Sequence, residues 1–188
     1  MRQLTALVLA FVIAACSAAP EKVATAGAEP VRTERSAAIR TIPAPRRNIA
    51  LADYLIVDKS KRMLVAYRKG KPIRAYRNLQ FGDAPKGHKR FQGDERTPEG
   101  VYRIDWRNPQ SRFHLSLRIS YPNEQDRAFA SQYGMSPGGD IFIHGQPNGL
   151  NYGRMSGDWT DGCIALSNEE IEELWRIVPD GTPIEIRP

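Results

Sequence analysis

Two cysteines and three histidines are all that 188 residues offer for thiol or imidazole chemistry. So few cysteines exclude a disulfide framework, and three scattered histidines give no metal site of recognisable spacing. No glycine-rich nucleotide motif and no internal repeat occurs. No apolar run reaches the roughly 20 residues of a membrane-spanning helix. A concentrated positive charge is missing too, although the net charge is +6. Residues 17–49 hold an excess of three positive charges and Arg2 one more, which leaves +2 for residues 50–188. A nucleic-acid binder shows a basic stripe on the folded domain itself, so nucleic acid is excluded as a partner.

The first residues give an address. Arg2 precedes an apolar stretch from Leu4 to Ala15, the pattern of a secretory signal. Ile13-Ala14-Ala15-Cys16 reads as a lipobox, small residues followed by a cysteine to be acylated. Residues 1–15 are then a lipoprotein signal peptide, and the mature chain begins at lipidated Cys16, held to a membrane by several acyl chains. Ser17 is not the aspartate that retains lipoproteins at the inner membrane. The expected location is therefore the periplasm, on the outer membrane. An ordinary signal peptide cut near Ala15 is the other reading.

Residues 16–49 form an Ala/Pro-rich tether without an apolar period, too poor in apolar surface to offset its ordering entropy. As a coil it would reach about 30 Å. Its charge either keeps it solvated or engages anionic lipid or wall polymer. Residues 50–188 have the length of one domain with its own core. Short β-rich runs dominate there: 54–57, 63–67, 72–77, 100–106, 115–120, 140–144, 163–166 and 183–187. Residues 121–126 read as a loop. One helix is marked by Ser167 and Glu170, a capping box, followed by Ile171, Leu174, Trp175 and Val178 on one face. The fold class is mainly β, a β-sandwich or barrel-like sheet with minor helices.

Cys163 carries the chemistry. With Cys16 lipidated it is the one free thiol, in a compartment that oxidises thiols, and its retention points to reactivity. His144-Gly145 and Thr160-Asp161-Gly162-Cys163 supply an imidazole that can take the thiol proton, a glycine that permits a tight turn, and backbone N–H groups for an oxyanion. Together these read as acyl transfer through a thioester. His144 alternates with Ile141 and Ile143, so it lies with Phe142 on the opposite strand face. In the run Arg112 to Arg118, His114, Ser116 and Arg118 share a polar face. That face either lines a carboxylate-binding cleft or meets solvent.

At these residues the chain resembles the L,D-transpeptidase (YkuD-type) catalytic domain family of bacterial cell-wall enzymes. The family signature is a His, about fifteen further residues, then Ser/Thr-x-Gly-Cys, as here from His144 to Cys163. Gly93-Asp94, Thr97 to Tyr102, Ile141 to Gly145 and Gly181 to Ile186 extend the resemblance over residues 50–188. It implies a β-sandwich with minor helices, Cys163 as nucleophile, His144 as general base, an oxyanion site around Gly162, and a backbone carbonyl near Gly145 that orients the imidazole. It also implies peptidoglycan stem peptides as partners and no cofactor or metal. The donor would be a tetrapeptide, attacked at the L-centre of its third residue, usually diaminopimelate, with loss of D-alanine. The acceptor amine would belong to another stem, a lipoprotein lysine or a free D-amino acid.

Two departures stand out. Asp161 occupies a position that is often His or Asn, and Ala165 one that is often Arg. Asp161 disfavours the thiolate if it points inward, unless it points outward or pairs with an Arg such as Arg154. Asp161, His114 and Arg118 are the candidate substrate contacts. The two departures resemble a subgroup with amidase-like members that hydrolyse wall–lipoprotein links. A thiol amidase or peptidase is therefore the alternative to transpeptidation, and a non-catalytic wall-binding lipoprotein is a third reading.

Overall fold

The computed structural model describes residues 49–150 and 152–188. The expected signal peptide, Cys16 and the tether up to residue 48 lie outside the described residues. Eight strands and two helices follow in the order β1 (Tyr54–Asp58), β2 (Met63–Arg68), β3 (Lys71–Arg77), β4 (Gly100–Asn108), β5 (Ser116–Ile119), α1 (Glu124–Gln132), β6 (Phe142–His144), β7 (Ile164–Ala165), α2 (Asn168–Ile177) and β8 (Pro183–Arg187). The expected mainly-β, barrel-like class is what the chain adopts, a single curled sheet in the order β3-β2-β1-β8-β4-β5-β6-β7.

Local chemistry explains the register. In β1 and β2, Leu55, Val57, Leu64 and Ala66 alternate inward and are fully buried. Arg68 pairs with Lys71 across Lys69 and Gly70, both at positive φ, the two-residue turn that suits strand twist. The last strand, β8, lies parallel to β1 and antiparallel to β4. Strand β4 runs on into the second half of the sheet through an irregularity between Ile104 and Trp106, where the sheet bends. The far edges nearly meet. Gln80, just past β3, exchanges backbone hydrogen bonds with Ala165 of β7 at 3.1 and 2.8 Å. That bridge ties the curled sheet into a half-barrel.

Helix α2 covers one face through buried Ile171, Leu174, Trp175 and Ile177. Its N-terminus has the expected reciprocal box: Ser167 accepts from the Glu170 N–H and Glu170 accepts from the Ser167 N–H. Arg107 closes the other end, donating to the carbonyls of Trp175 and Val178, with its guanidinium 5.1 Å from the Trp175 ring centre. Helix α1 corrects the expected loop at 121–126. Only Asp126 and Ala130 of this helix are buried, so it carries no apolar stripe to betray it. Asn123 and Asp126 cap each other's backbone, and Asp126 also accepts from Tyr102 and faces His88 at 3.0 Å.

Candidate active site

The pairing of β6 with β7 builds the site. Ile141 and Ile143 point into the core, while Phe142 and His144 face a cleft of about 470 Å³ that Cys163 also lines. Ile143 pairs with Ile164 and His144 with Ala165, which sets Cys163 beside Phe142. The Phe142 N–H donates to Cys163 Sγ at 3.4 Å, and the thiol reaches the Asp140 carbonyl at 3.5 Å. His144 and Cys163, nineteen positions apart in sequence, thus line one cleft because β6 runs parallel to the strand that follows Cys163.

His144 is held in one orientation and one tautomer. Its Nδ1–H donates to the Gly145 carbonyl at 2.7 Å, which assigns the tautomer and leaves the Nε2 lone pair as acceptor. The ring is stacked on Phe113 (4.6 Å between centres, 27°) and meets Trp159 edge-on at 5.5 Å. With only 2 % of the residue exposed, lost hydration dominates: burial pushes the imidazole down to about 4, and the Gly145 bond opposes this. The thiol moves the other way. Burial pushes Cys163 up to about 11; the Phe142 N–H and Lys89 favour the thiolate, and the charges of Asp161 and Asp140 oppose it. The resting pair is therefore a neutral thiol and a neutral imidazole. Such a pair can deliver a nucleophile only by passing the proton as the new bond forms.

The turn before Cys163 requires glycine. Gly162 sits at φ +110°, and a Cβ there would strike the Arg96 carbonyl oxygen. Thr97 Oγ1 donates to the Gly162 carbonyl at 2.9 Å, and Thr160 Oγ1 to the Cys163 carbonyl at 2.8 Å. The Gly162 N–H is taken by Thr160 Oγ1 at 3.3 Å. No hydrogen bond among the described residues engages the Cys163 amide, so of the two expected oxyanion donors this one is available. Gly145 contributes its carbonyl to His144, and its N–H goes to the carbonyls of Phe113 and Leu115. The Asn168 side chain and His114 Cβ close over its Cα, leaving no room for a Cβ.

Of the expected substrate contacts, Asp161 is exposed and lines the cleft. It does not pair with Arg154, which binds Glu170 and the Asn78 carbonyl instead. His114 and Arg118 are not among the residues that line the cleft. Strand β5 starts only at Ser116, and His114 precedes it at φ +67°, so the alternation that placed it beside Ser116 is broken. Its Nε2 meets Glu172 of α2 at 2.7 Å. Arg118 is held by both oxygens of Asp105, at 2.8 and 3.1 Å. Sequence reasoning missed Arg112, Phe113, Asp140 and Trp159, all of which line the cleft. They reach it through turns and long-range packing that no local pattern announces. Among the described residues no three His, Cys, Asp or Glu side chains converge as a metal site.

Comparison with known proteins gives one consistent answer. The profile of the YkuD family, described as the L,D-transpeptidase catalytic domain, matches residues 52–186. Over 95 residues, 49% of this chain, the sequence is 33% identical to "Putative L,D-transpeptidase YafK" of Escherichia coli (strain K12). It spans 32% of that relative's length. The fold is similar to the crystal structure of the helical cell shape determining protein Pgp2 from Campylobacter jejuni. There the TM-score is 0.56 at 27% identity, covering 74% of this chain and 50% of that one.

Proposed function

This chain belongs to the YkuD family of L,D-transpeptidase catalytic domains, and from that premise we propose that it is a peptidoglycan-modifying cysteine acyltransferase. The observation that carries the reading is His144, fixed with Nε2 free in the same cleft as Cys163. Cys163 Sγ attacks the carbonyl at the L-centre of the third residue of a stem tetrapeptide, and its proton passes to His144 Nε2. The oxyanion meets the Cys163 N–H. Collapse breaks the amide and expels D-alanine, whose amine takes the proton back from His144. An amine then attacks the thioester, again losing its proton to His144, and the thiol is regenerated. No outside energy is needed, because the thioester retains that of the amide.

Intact-mass measurement after incubation with a tetrapeptide tests this. The expected result is a tripeptide-acyl adduct on the wild type and none on Cys163→Ala. A folded wild type that never acquires the adduct would overturn the proposal. A second reading has water as the acyl acceptor and the enzyme as an amidase or peptidase; the exposed Asp161 carboxylate in the cleft favours it. Muropeptide profiles separate the two: Cys163-dependent crosslinks mean amine acceptors, shortened stems alone mean hydrolysis.

The proposed setting is the periplasm, on the outer membrane, with Cys16 as the lipid anchor and residues 16–49 as the tether. The likeness to a cell shape determining protein supports a role in wall remodelling. Labelling with radioactive palmitate should mark the wild type and not Cys16→Ser. Equal labelling of the two would remove the anchor.

A further inference from the structure

The cleft around Cys163 and His144 is lined by many polar groups but by one permanent cation, Arg112. Five basic side chains of the surrounding elements are committed to carboxylates. Arg118 is paired with Asp105, Arg107 with Asp180, Arg154 with Glu170, Lys89 with Asp94 and Arg62 with Asp158. Arg112 is exposed, and among the described residues no carboxylate pairs with it. Its guanidinium lies 5.8 Å from the centre of the Phe113 ring, the same ring that stacks on His144. The two carboxylates of the cleft, Asp140 and Asp161, act on the thiol itself. The cleft is therefore polarised, with its cation on the imidazole side and its anions on the sulfur side.

The turn that carries Arg112 is built to hold still. Asn148, on the segment after His144, binds it three times. Its Nδ2 donates to the Ser111 carbonyl at 3.0 Å, its N–H to the Arg112 carbonyl at 3.0 Å, and its Oδ1 accepts from the His114 N–H at 3.0 Å. The Ser111 hydroxyl accepts from the Phe113 N–H at 3.0 Å. A long side chain on a clamped turn loses less freedom on binding than one on a loose loop. A planar guanidinium on an aromatic face suits two-point binding of a carboxylate.

We propose that Arg112 is the carboxylate anchor of this cleft: it holds one carboxylate of the donor peptide on the imidazole side and so sets the donor's direction across Cys163. This rests on the acyltransferase reading for the identity of the donor. Arg112 is a binding residue and takes no proton.

The test measures binding of stem tetrapeptides to the full chain carrying Cys163→Ala, so that no chemistry intervenes. Each peptide carboxylate is replaced in turn by a carboxamide, and each peptide is titrated against Arg112 intact, Arg112→Gln and Arg112→Lys. The expected result is that one carboxamide weakens binding to the intact protein by about tenfold, as for loss of a charge-assisted hydrogen bond. Arg112→Gln should weaken the unmodified peptide equally, and the two changes together should cost no more than either alone. Arg112→Lys should retain part of the affinity. That one carboxamide identifies which carboxylate is held, the C-terminal one of the leaving residue or one further back. The proposal is overturned if Arg112→Gln binds every peptide as the intact protein does, if it weakens the fully amidated peptide by the same factor, or if no peptide binds the intact site. Failure of the acyltransferase reading looks different: peptides bind, with or without Arg112, but wild-type Cys163 never becomes acylated. Melting curves of the Arg112 variants should match the parent, since the side chain is exposed.

Discussion

Burial acts on Cys163 and His144 in opposite directions, and the consequence is measurable. With the thiol pushed up to about 11 and the imidazole down to about 4, the neutral pair persists across the physiological range. Alkylation of Cys163 by iodoacetamide should rise about tenfold per pH unit from 7 towards 10, following the thiolate fraction. A flat plateau between pH 5 and 8 would instead mean a preformed thiolate–imidazolium pair. Acylation by peptide should depend on pH differently, staying level until the imidazole is protonated near 4. His144→Ala should slow it by roughly 10²–10⁴-fold, the usual contribution of a general base; wild-type acylation rates in that variant would remove His144 from the mechanism. The same burial has a stability cost in acid. His144 binds its proton in the unfolded chain near 6.5 but in the folded one only near 4. Its contribution is therefore complete above about 6.5 and is lost as pH falls towards 4, to the extent of about 3 kcal/mol. Denaturant titrations of wild type and His144→Asn at pH 7 and pH 4 should show the two curves converging in acid by about that amount. Parallel acid losses would refute it.

Turns and strand ends decide which of these side chains meet, and they also decide what the sequence revealed. Strands with alternating apolar residues, such as β1 and β2, were readable because half-burial writes itself as a period of two. Helix α2 was readable from Ser167 and Glu170 plus its apolar face, whereas α1 was not, because a helix resting on caps and one buried alanine leaves no stripe. The Cys–His pair was legible because the motif itself is rare. Its surroundings were not: Arg112 and Phe113 lie ahead of the expected strand at 115–120, in a turn marked by the positive φ of His114. Trp159 and Asp140 enter from loops whose paths depend on contacts far along the chain. Asn148 is the clearest instance, a loop residue whose three bonds to residues 111–114 organise one wall of the cleft. Asn148→Ala should raise hydrogen exchange at the 111–114 amides and weaken peptide binding several-fold, while leaving the thiol's alkylation profile unchanged. An altered profile would mean that Asn148 supports Cys163 directly.

Closure of the sheet places an unusual demand on the end of the chain. Strand β8 is the last element in sequence, yet it stands between β1 and β4 near the middle of the sheet order. Ile184 and Ile186 are buried within it, facing the same core as Leu55 and Val57. Without β8 the hairpins β1 to β3 would lose their backbone link to β4, keeping the bridge from Gln80 to Ala165 as a tie to the half of the sheet beside His144 and Cys163. Burying two isoleucines contributes about 3–6 kcal/mol, a large share of a typical domain's stability. The edge left on β1 would also expose a row of unpaired N–H and C=O groups. A chain ending at Thr182 should therefore not fold cooperatively, and Cys163 in it should react with a thiol reagent as fast as a free cysteine does. A chain comprising residues 49–188 should keep a single sharp unfolding transition and the suppressed thiol reactivity of the full protein. A chain truncated after Thr182 that still melted sharply with a slow-reacting Cys163 would show that the two halves of the sheet hold together without their central strand.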